Sequence, residues 1–231
     1  MKKIKLFADG LKINELDDDF GIDIDGYTFN PSIFKKHEVE DYIKHSKKLL
    51  PKCKNKPVSF EVFADEEKEM IKQAKILNKL GNNIYVKVPI TYTNKEFTSR
   101  VLETLVKENI KLNVTAIFTL DQIKKVLPIL KETNTILSVF AGRIYDCGLD
   151  ACKIMKEICS EVKANSKCET LWASPRMPYD YISAINVGAE IITMQGQQIK
   201  KLKTFGKKPE DYSLETVKQF YNDALSSGFK I

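Results

Sequence analysis

Histidine is nearly absent from this chain. There are two in 231 residues, His37 and His45, both within one charged helical segment, so a His-based metal site or catalytic triad has little material. The five cysteines, Cys53, Cys147, Cys152, Cys159 and Cys168, form no C-x-x-C pair. Their odd number argues against a disulfide framework, and their spacing against a structural zinc site. Cys152, Met155 and Cys159 recur at helical spacing, as a buried stripe of reduced thiols in a cytoplasmic protein would. Glycine-rich phosphate loops are missing too. Neither G-x-G-x-x-G nor G-x-x-x-x-G-K-[ST] occurs, which argues against a nucleotide-binding open sheet. No stretch approaches the roughly 18 apolar residues of a membrane span. The apolar run in the opening "MKKIKLFADG" is too short for a secretion signal. No Gly/Ser/Pro-rich linker and no shift of composition divides the chain, so one domain over residues 1–231 is expected.

What is present is ordinary for a globular protein: 43% hydrophobic and 29% charged residues, enough for one sizeable core. The net charge of +6 comes from 37 Lys and Arg against 31 Asp and Glu, and the lysines are mixed with acids along the helices. The most basic run, "KKLKTFGKK" at 200–208, lacks the interleaved aromatics of a nucleic-acid surface, and no nucleic-acid partner is expected.

Short apolar runs alternate with longer segments of helical period. The runs are 4–9, 22–29, 58–63, 84–90, 111–118, 136–141, 168–174 and 190–194. Each is followed by a helix or a short connection. One helix is expected from Pro31, a good first-turn residue, to about Leu50. Another spans "DEEKEMIKQAKILNKLG", acidic at its start and closed by Gly81. Pro128 should bend or interrupt the helix after the fifth strand, and a last helix is expected over about 213–227. Eight such units in this length predict an α/β fold, a (β/α)8 TIM barrel with an extra C-terminal helix.

In a barrel neither face of a strand is wet, which makes "NIYVKVPIT" at 83–91 informative. Ile84, Val86, Val88 and Ile90 share the parity suited to the helix-covered side, so Lys87 points inward. The same test turns Asp9, Ser59, Glu61, Asn113 and Thr115 inward, and gives Ser138 and Phe140 one parity. Each has a bland reading as well: Asp9 could close a turn, Asn30 could cap the helix at Pro31, and Ser or Thr can satisfy neighbouring backbone. Lys87 differs, because burial penalises the ammonium and a neutral buried amine is a nucleophile. An inward lysine with carboxylates nearby describes an imine-forming site.

At these residues the chain resembles the transaldolase family in its short form. "FNPSI" (29–33) is similar to the family's T-N-P-S segment, and "YVKVPIT" (85–91) to its V-K-I/V-P-x-T strand. "LNVTAIFT" (112–119) resembles N-V-T-L-I-F-S, "SVFAGRIYD" (138–146) resembles S-P-F-V-G-R-I-x-D, and "ASPRM" (173–177) resembles A-S-F-R. The resemblance implies that Lys87 forms a Schiff base with the ketose C2 carbonyl. It implies that Asp9 is the acid/base at the C4 hydroxyl, and that Glu61 works with a water held by Thr115. Asn30, Asn113 and Ser138 would bind the dihydroxyacetone unit, with Phe140 beside it. Arg143, Ser174 and Arg176 would bind phosphate. It further implies phosphorylated sugar substrates, no metal or organic cofactor, and a homo-oligomer in which the C-terminal helix reaches toward neighbours. The related fructose-6-phosphate aldolases typically carry Gln and Tyr where this chain has Glu61 and Phe140, so transfer is favoured over simple cleavage.

The chain departs from the family pattern at several places. Phe29 replaces a Thr, Trp172 stands where a small residue is usual, and "TMQGQQ" (193–198) replaces an apolar-Pro segment after the last strand. The acid-rich "NELDDDFGIDID" (14–25) lies between the first two strands. All lie outside the catalytic set, and several of them are expected to shape the sugar pocket.

Overall fold

Branched apolar residues recur in the eight short runs, and parallel neighbours need a crossover between them, which helices supply after every strand but the first. The computed structural model describes residues 4–231. Its first half holds β1 (Lys5–Asp9), β2 (Gly26–Thr28), α1 (Pro31–Lys36), α2 (Tyr42–Leu49), β3 (Val58–Glu61), α3 (Glu67–Asn78), β4 (Ile84–Pro89) and α4 (Ser99–Lys107). There follow β5 (Leu112–Ile117), α5 (Leu120–Leu130), β6 (Ile136–Val139), α6 (Ala141–Asp146), α7 (Ala151–Asn165), β7 (Glu169–Trp172) and α8 (Asp180–Val187). The last elements are β8 (Ile191–Gln195), α9 (Gly196–Lys201) and α10 (Pro209–Ser227). The eight strands are parallel and close in sequence order, with β8 returning to β1. This is the expected (β/α)8 barrel.

Inside the barrel, Phe7, Ile136, Leu171, Ala173 and Ile191 form one buried cluster, with Tyr85 and Phe140 packed against it. Gly26 makes room for the largest of these. A Cβ there would lie 2.6–2.8 Å from three ring carbons of Phe7. On the outer face, Leu6, Val86, Val88, Val114 and Leu137 are fully buried under helices whose inward stripes recur every three or four residues, as Met155, Ile158, Cys159 and Val162 do on α7. Each such side chain contributes about 1.5–3 kcal/mol on burial. The apolar floor closes the barrel's interior and leaves the polar inward residues at its C-terminal end.

Several boundaries differ from expectation. The helix from Pro31 is two helices, because Glu38 takes a left-handed φ of 56° and Asp41 starts α2 afresh by accepting from the Lys44 N–H at 2.8 Å. α5 continues through Pro128 and ends at Leu130, so the proline sits in the last turn. α6 was not legible as a separate helix, and α10 starts at Pro209, before the expected 213. The chain resolves into two compact units, Met1–Lys200 with the barrel and Lys201–Ile231 with α10. Among the described residues no helix is long and apolar enough to cross a membrane, and all five cysteines are free.

Candidate active site

Lys87 lies on β4 opposite Glu61 of β3 and Asn113 of β5 in the strand register. It is 5% exposed, and its Nζ lies 3.1 Å from the Glu61 Oε2. The register alone explains the pairing: adjacent parallel strands bring equal-parity residues side by side on the inner face. Tyr42 of α2 fixes the end of β3, its hydroxyl donating to the Glu61 carbonyl and accepting from the Glu61 N–H, each at 3.0 Å.

Asp9 closes the other side. Its Oδ1 accepts from the Thr28 hydroxyl at 2.6 Å, and the Thr28 Oγ1 lies 2.6 Å from the Thr193 Oγ1. Burial pushes the Asp9 carboxyl above the usual carboxylate range. The Thr28 hydrogen bond and the Lys87 charge pull it back in part, and Glu61 pushes it up further. Three ionisable groups thus share a nearly dry space, two acids around one amine.

Asn113 is fully buried and both ends of its amide are engaged. Nδ2 donates to Ser59 at 3.0 Å and Oδ1 accepts from Ser138 at 2.7 Å. It orients the Ser138 hydroxyl. The Thr115 Oγ1 beside it is buried and has no hydrogen-bond partner among the described residues, a condition rare for buried hydroxyls. One residue on, Ala116 adopts a φ of 60° where the β5–β6 register shifts. This bulge lies at the C-terminal end of the strand, beside the site. Asn30 does act as the N-cap of α1, its Oδ1 accepting from the Ile33 N–H at 2.9 Å, while it also lines the cavity described next.

A cavity of about 240 Å³ opens above these groups. Its walls include Asp9, Asn30, Lys87, Ser138, Phe140, Arg143, Ser174 and Arg176. Glu61, Asn113 and Thr115 stand behind this wall. The Arg176 Nε donates to Asp146 at 2.9 Å, its Nη2 contacts the same carboxylate, and its Nη1 donates to the Ser174 hydroxyl at 3.1 Å. Those hydrogen bonds hold the Asp146 carboxyl below its ordinary range. The Arg143 guanidinium lies 5.2 Å from the Phe140 ring centre. Ser174 takes a left-handed φ of 58°. Gly142 permits the close passage of its backbone: a Cβ at 142 would lie 1.6 Å from the Ser174 carbonyl oxygen. A more open hollow of about 770 Å³ lies at the N-terminal end of the strands, around Tyr85 and Lys111; it contains neither Lys87 nor the two carboxylates beside it.

Of the site residues read from the sequence, Asp9, Asn30, Lys87, Ser138, Phe140, Arg143, Ser174 and Arg176 line one cavity, while Glu61 and Asn113 flank Lys87 on the neighbouring strands and Thr115 lies two residues beyond Asn113. A family model described as Transaldolase/Fructose-6-phosphate aldolase matches residues 6–230. The chain belongs to this family. Among curated relatives, a probable transaldolase of Desulforapulum autotrophicum is 33% identical over 204 residues, covering 86% of this chain and 89% of its own. One from Thermoanaerobacter sp. is 32% identical over 231 residues, covering 99% of this chain and 100% of its own. Among solved structures, one titled "Native KDPGal structure" superposes with a TM-score of 0.56 at 9% identity, covering 86% of this chain and 89% of that one; at that identity the likeness concerns the barrel alone. Family membership supports an aldolase or transaldolase reaction.

Two departures from the family pattern do not reach the pocket, contrary to expectation. Phe29 is fully buried on the helix-covered side, its ring 5.5 Å from that of Phe60 and 5.7 Å from that of Phe34. Trp172 is equally buried, its ring 6.2 Å from Tyr145. Strand parity explains both, since each neighbours an inward residue and must face away. Gln195, from the altered "TMQGQQ" segment, does line the cavity, as do Thr28, Ser32, Lys36 and Thr193. Thr193 and Gln195 belong to the segment expected to shape the pocket, while Thr28, Ser32 and Lys36 are not among the site residues read from the sequence. The inward parity of Thr28 and Thr193 was available as a signal, whereas Ser32 and Lys36 enter from α1, beyond the reach of strand parity.

Proposed function

We propose that the protein is a transaldolase, transferring a dihydroxyacetone unit between phosphorylated sugars through a Schiff base on Lys87, with fructose 6-phosphate or sedoheptulose 7-phosphate as donor. The observation that supports this most is the buried Lys87 amine between Glu61, at 3.1 Å, and Asp9 in one cavity wall. An amine must lose a proton to attack a carbonyl, and the Glu61 carboxylate is placed to take it, directly or through a water on the Thr115 hydroxyl. The amine nitrogen bonds to C2 and the carbonyl oxygen leaves as water, giving a protonated imine. Asp9 then takes the proton of the C4 hydroxyl. The C3–C4 bonding pair moves into the iminium, an aldose phosphate departs, and a neutral enamine remains on Lys87. Attack of the enamine on the aldehyde carbon of a second aldose phosphate reverses the sequence, and water releases the new ketose. An Asp9 carboxyl raised above its usual range suits a base that must return its proton.

Arg143, Ser174 and Arg176 would hold the phosphate, since guanidinium forks match its oxygens. Ser138, held by Asn113, and Asn30 would bind the three-carbon unit. Glu61 and Phe140, in place of the Gln and Tyr usual in the aldolase subgroup, favour transfer over release to water. The reaction as written needs no metal or organic cofactor. Free thiols favour a cytoplasmic setting, which cell fractionation would check. The exposed Leu214, Val217, Phe220 and Tyr221 of α10 favour a homo-oligomer.

Borohydride trapping followed by intact-protein mass tests the chemistry. Wild type with fructose 6-phosphate should gain a reduced dihydroxyacetone adduct and Lys87→Ala none. Addition of an aldose phosphate should discharge the adduct before reduction. An equal adduct on Lys87→Ala, or none on wild type with any ketose phosphate, would overturn the reading.

A further inference from the structure

A phosphomonoester carries nearly two negative charges at neutral pH. The cations near Ser174 do not balance it. Arg143 and Arg176 bring two positive charges, but Asp146 is hydrogen-bonded to Arg176 through both Nε and Nη2 and returns one negative charge. The set is left with a single net positive charge. The cavity wall holds one further cation besides Lys87, and it is Lys36.

We infer that Lys36 is the third cationic ligand of the substrate phosphate, supplying the charge that Asp146 cancels. The inference rests on the phosphorylated-sugar reading above. Lys36 ends α1, the helix that Asn30 caps from within the cavity wall. It forms no ion pair with any described residue, in contrast to Lys200, which pairs with Asp18 at 2.8 Å. It also lines the adjoining cavity of about 320 Å³, which shares Asp9, Ile33 and Gln195 with the first. Lys36 thus stands at the junction of the two, with its ammonium free to turn to an anion in either. A lysine in the last turn of a helix has an ordinary use as well, interacting with the helix dipole. Lys35 occupies the same turn and does not line the cavity, so it serves as the control for that use.

The test is calorimetric titration of inorganic phosphate and of fructose 6-phosphate into wild type, Lys36→Ala, Lys36→Arg and Lys35→Ala, with borohydride trapping on the same samples. A hydrogen bond to a charged group corresponds to roughly a ten- to hundred-fold change in affinity. Lys36→Ala should raise the phosphate Kd by about that factor and weaken its dependence on salt. Lys36→Arg should restore most of the affinity, and Lys35→Ala should bind within about two-fold of wild type. Equal phosphate affinity in Lys36→Ala and wild type would overturn the assignment, as would an equal loss in Lys35→Ala. Phosphate affinity that depends on Lys36 without any imine on wild type would leave Lys36 standing and overturn the transaldolase reading instead.

Discussion

Gly142→Ala separates the segments that carry Arg143 and Ser174 by a distance the structure specifies. The added Cβ would lie 1.6 Å from the Ser174 carbonyl oxygen and 2.8 Å from its carbon, while folded proteins essentially never bring a Cβ within 3.0 Å of a heavy atom. The start of α6 and the β7–α8 loop must therefore part by about 1.4 Å, the difference between the 3.0 Å limit and 1.6 Å. The obstacle is backbone, so no side-chain rotation relieves it, and the Gly142 N–H to Ala173 carbonyl contact of 3.4 Å breaks as well. Overpacking of this kind costs about 1–3 kcal/mol, and an unyielding carbonyl argues for the upper end. The same movement parts Arg143, on α6, from Ser174 and Arg176. A misplacement of about 1 Å can cost on the order of a hundred-fold in rate. Urea denaturation should show a loss of about 2–3 kcal/mol, and steady-state assays should show kcat/KM for fructose 6-phosphate lower by at least about ten-fold. A stability loss under about 0.5 kcal/mol together with unchanged kcat/KM would refute the close approach of these segments.

Three further outcomes follow from the charges of the site and the surface of α10. Asp9→Asn should stabilise the protein at neutral pH and progressively less toward acid. A carboxyl raised by folding contributes stability below its unfolded value near 3.8 and loses it as pH rises through the folded value; a melting-temperature gain that is the same at pH 4 and pH 7.5 would count against this. Lys87→Met strands the Glu61 carboxylate and should cost about 3–5 kcal/mol, most of it recovered in Lys87→Met/Glu61→Gln. Simple additivity of the two single substitutions in urea denaturation would show that the pair is not coupled. Light scattering should return a mass of several chains, with Phe220→Glu shifting it toward one; a monomeric wild type would reject assembly through α10.

Much of the barrel is legible in the sequence, because βα alternation and strand parity are local properties of the chain. An inward Lys87 between inward Glu61 and Asn113 needs only a two-residue period and the adjacency of successive strands. What the chain's local pattern could not reveal are facts of approach between distant segments. The break between α1 and α2 depends on Glu38 and Asp41 rather than on periodicity, and the bulge at Ala116 leaves no compositional trace. Phe29 and Trp172, by contrast, depart from the family pattern but serve the outer core, as strand parity alone implies.

By itself, then, the sequence determined the eight-fold alternation, the inward parity of Asp9, Glu61, Lys87, Asn113 and Thr115, and the family that those residues mark. Only the tertiary structure decided which polar groups share one cavity, that Asn113 is committed to Ser59 and Ser138, that Asp146 neutralises Arg176, and that Lys36 arrives from a helix to face the same space. The physical reason is one of range. Parity and propensity act over a few residues, whereas desolvation and charge balance depend on every group that the closed barrel brings within a few ångströms, wherever it lies in the chain.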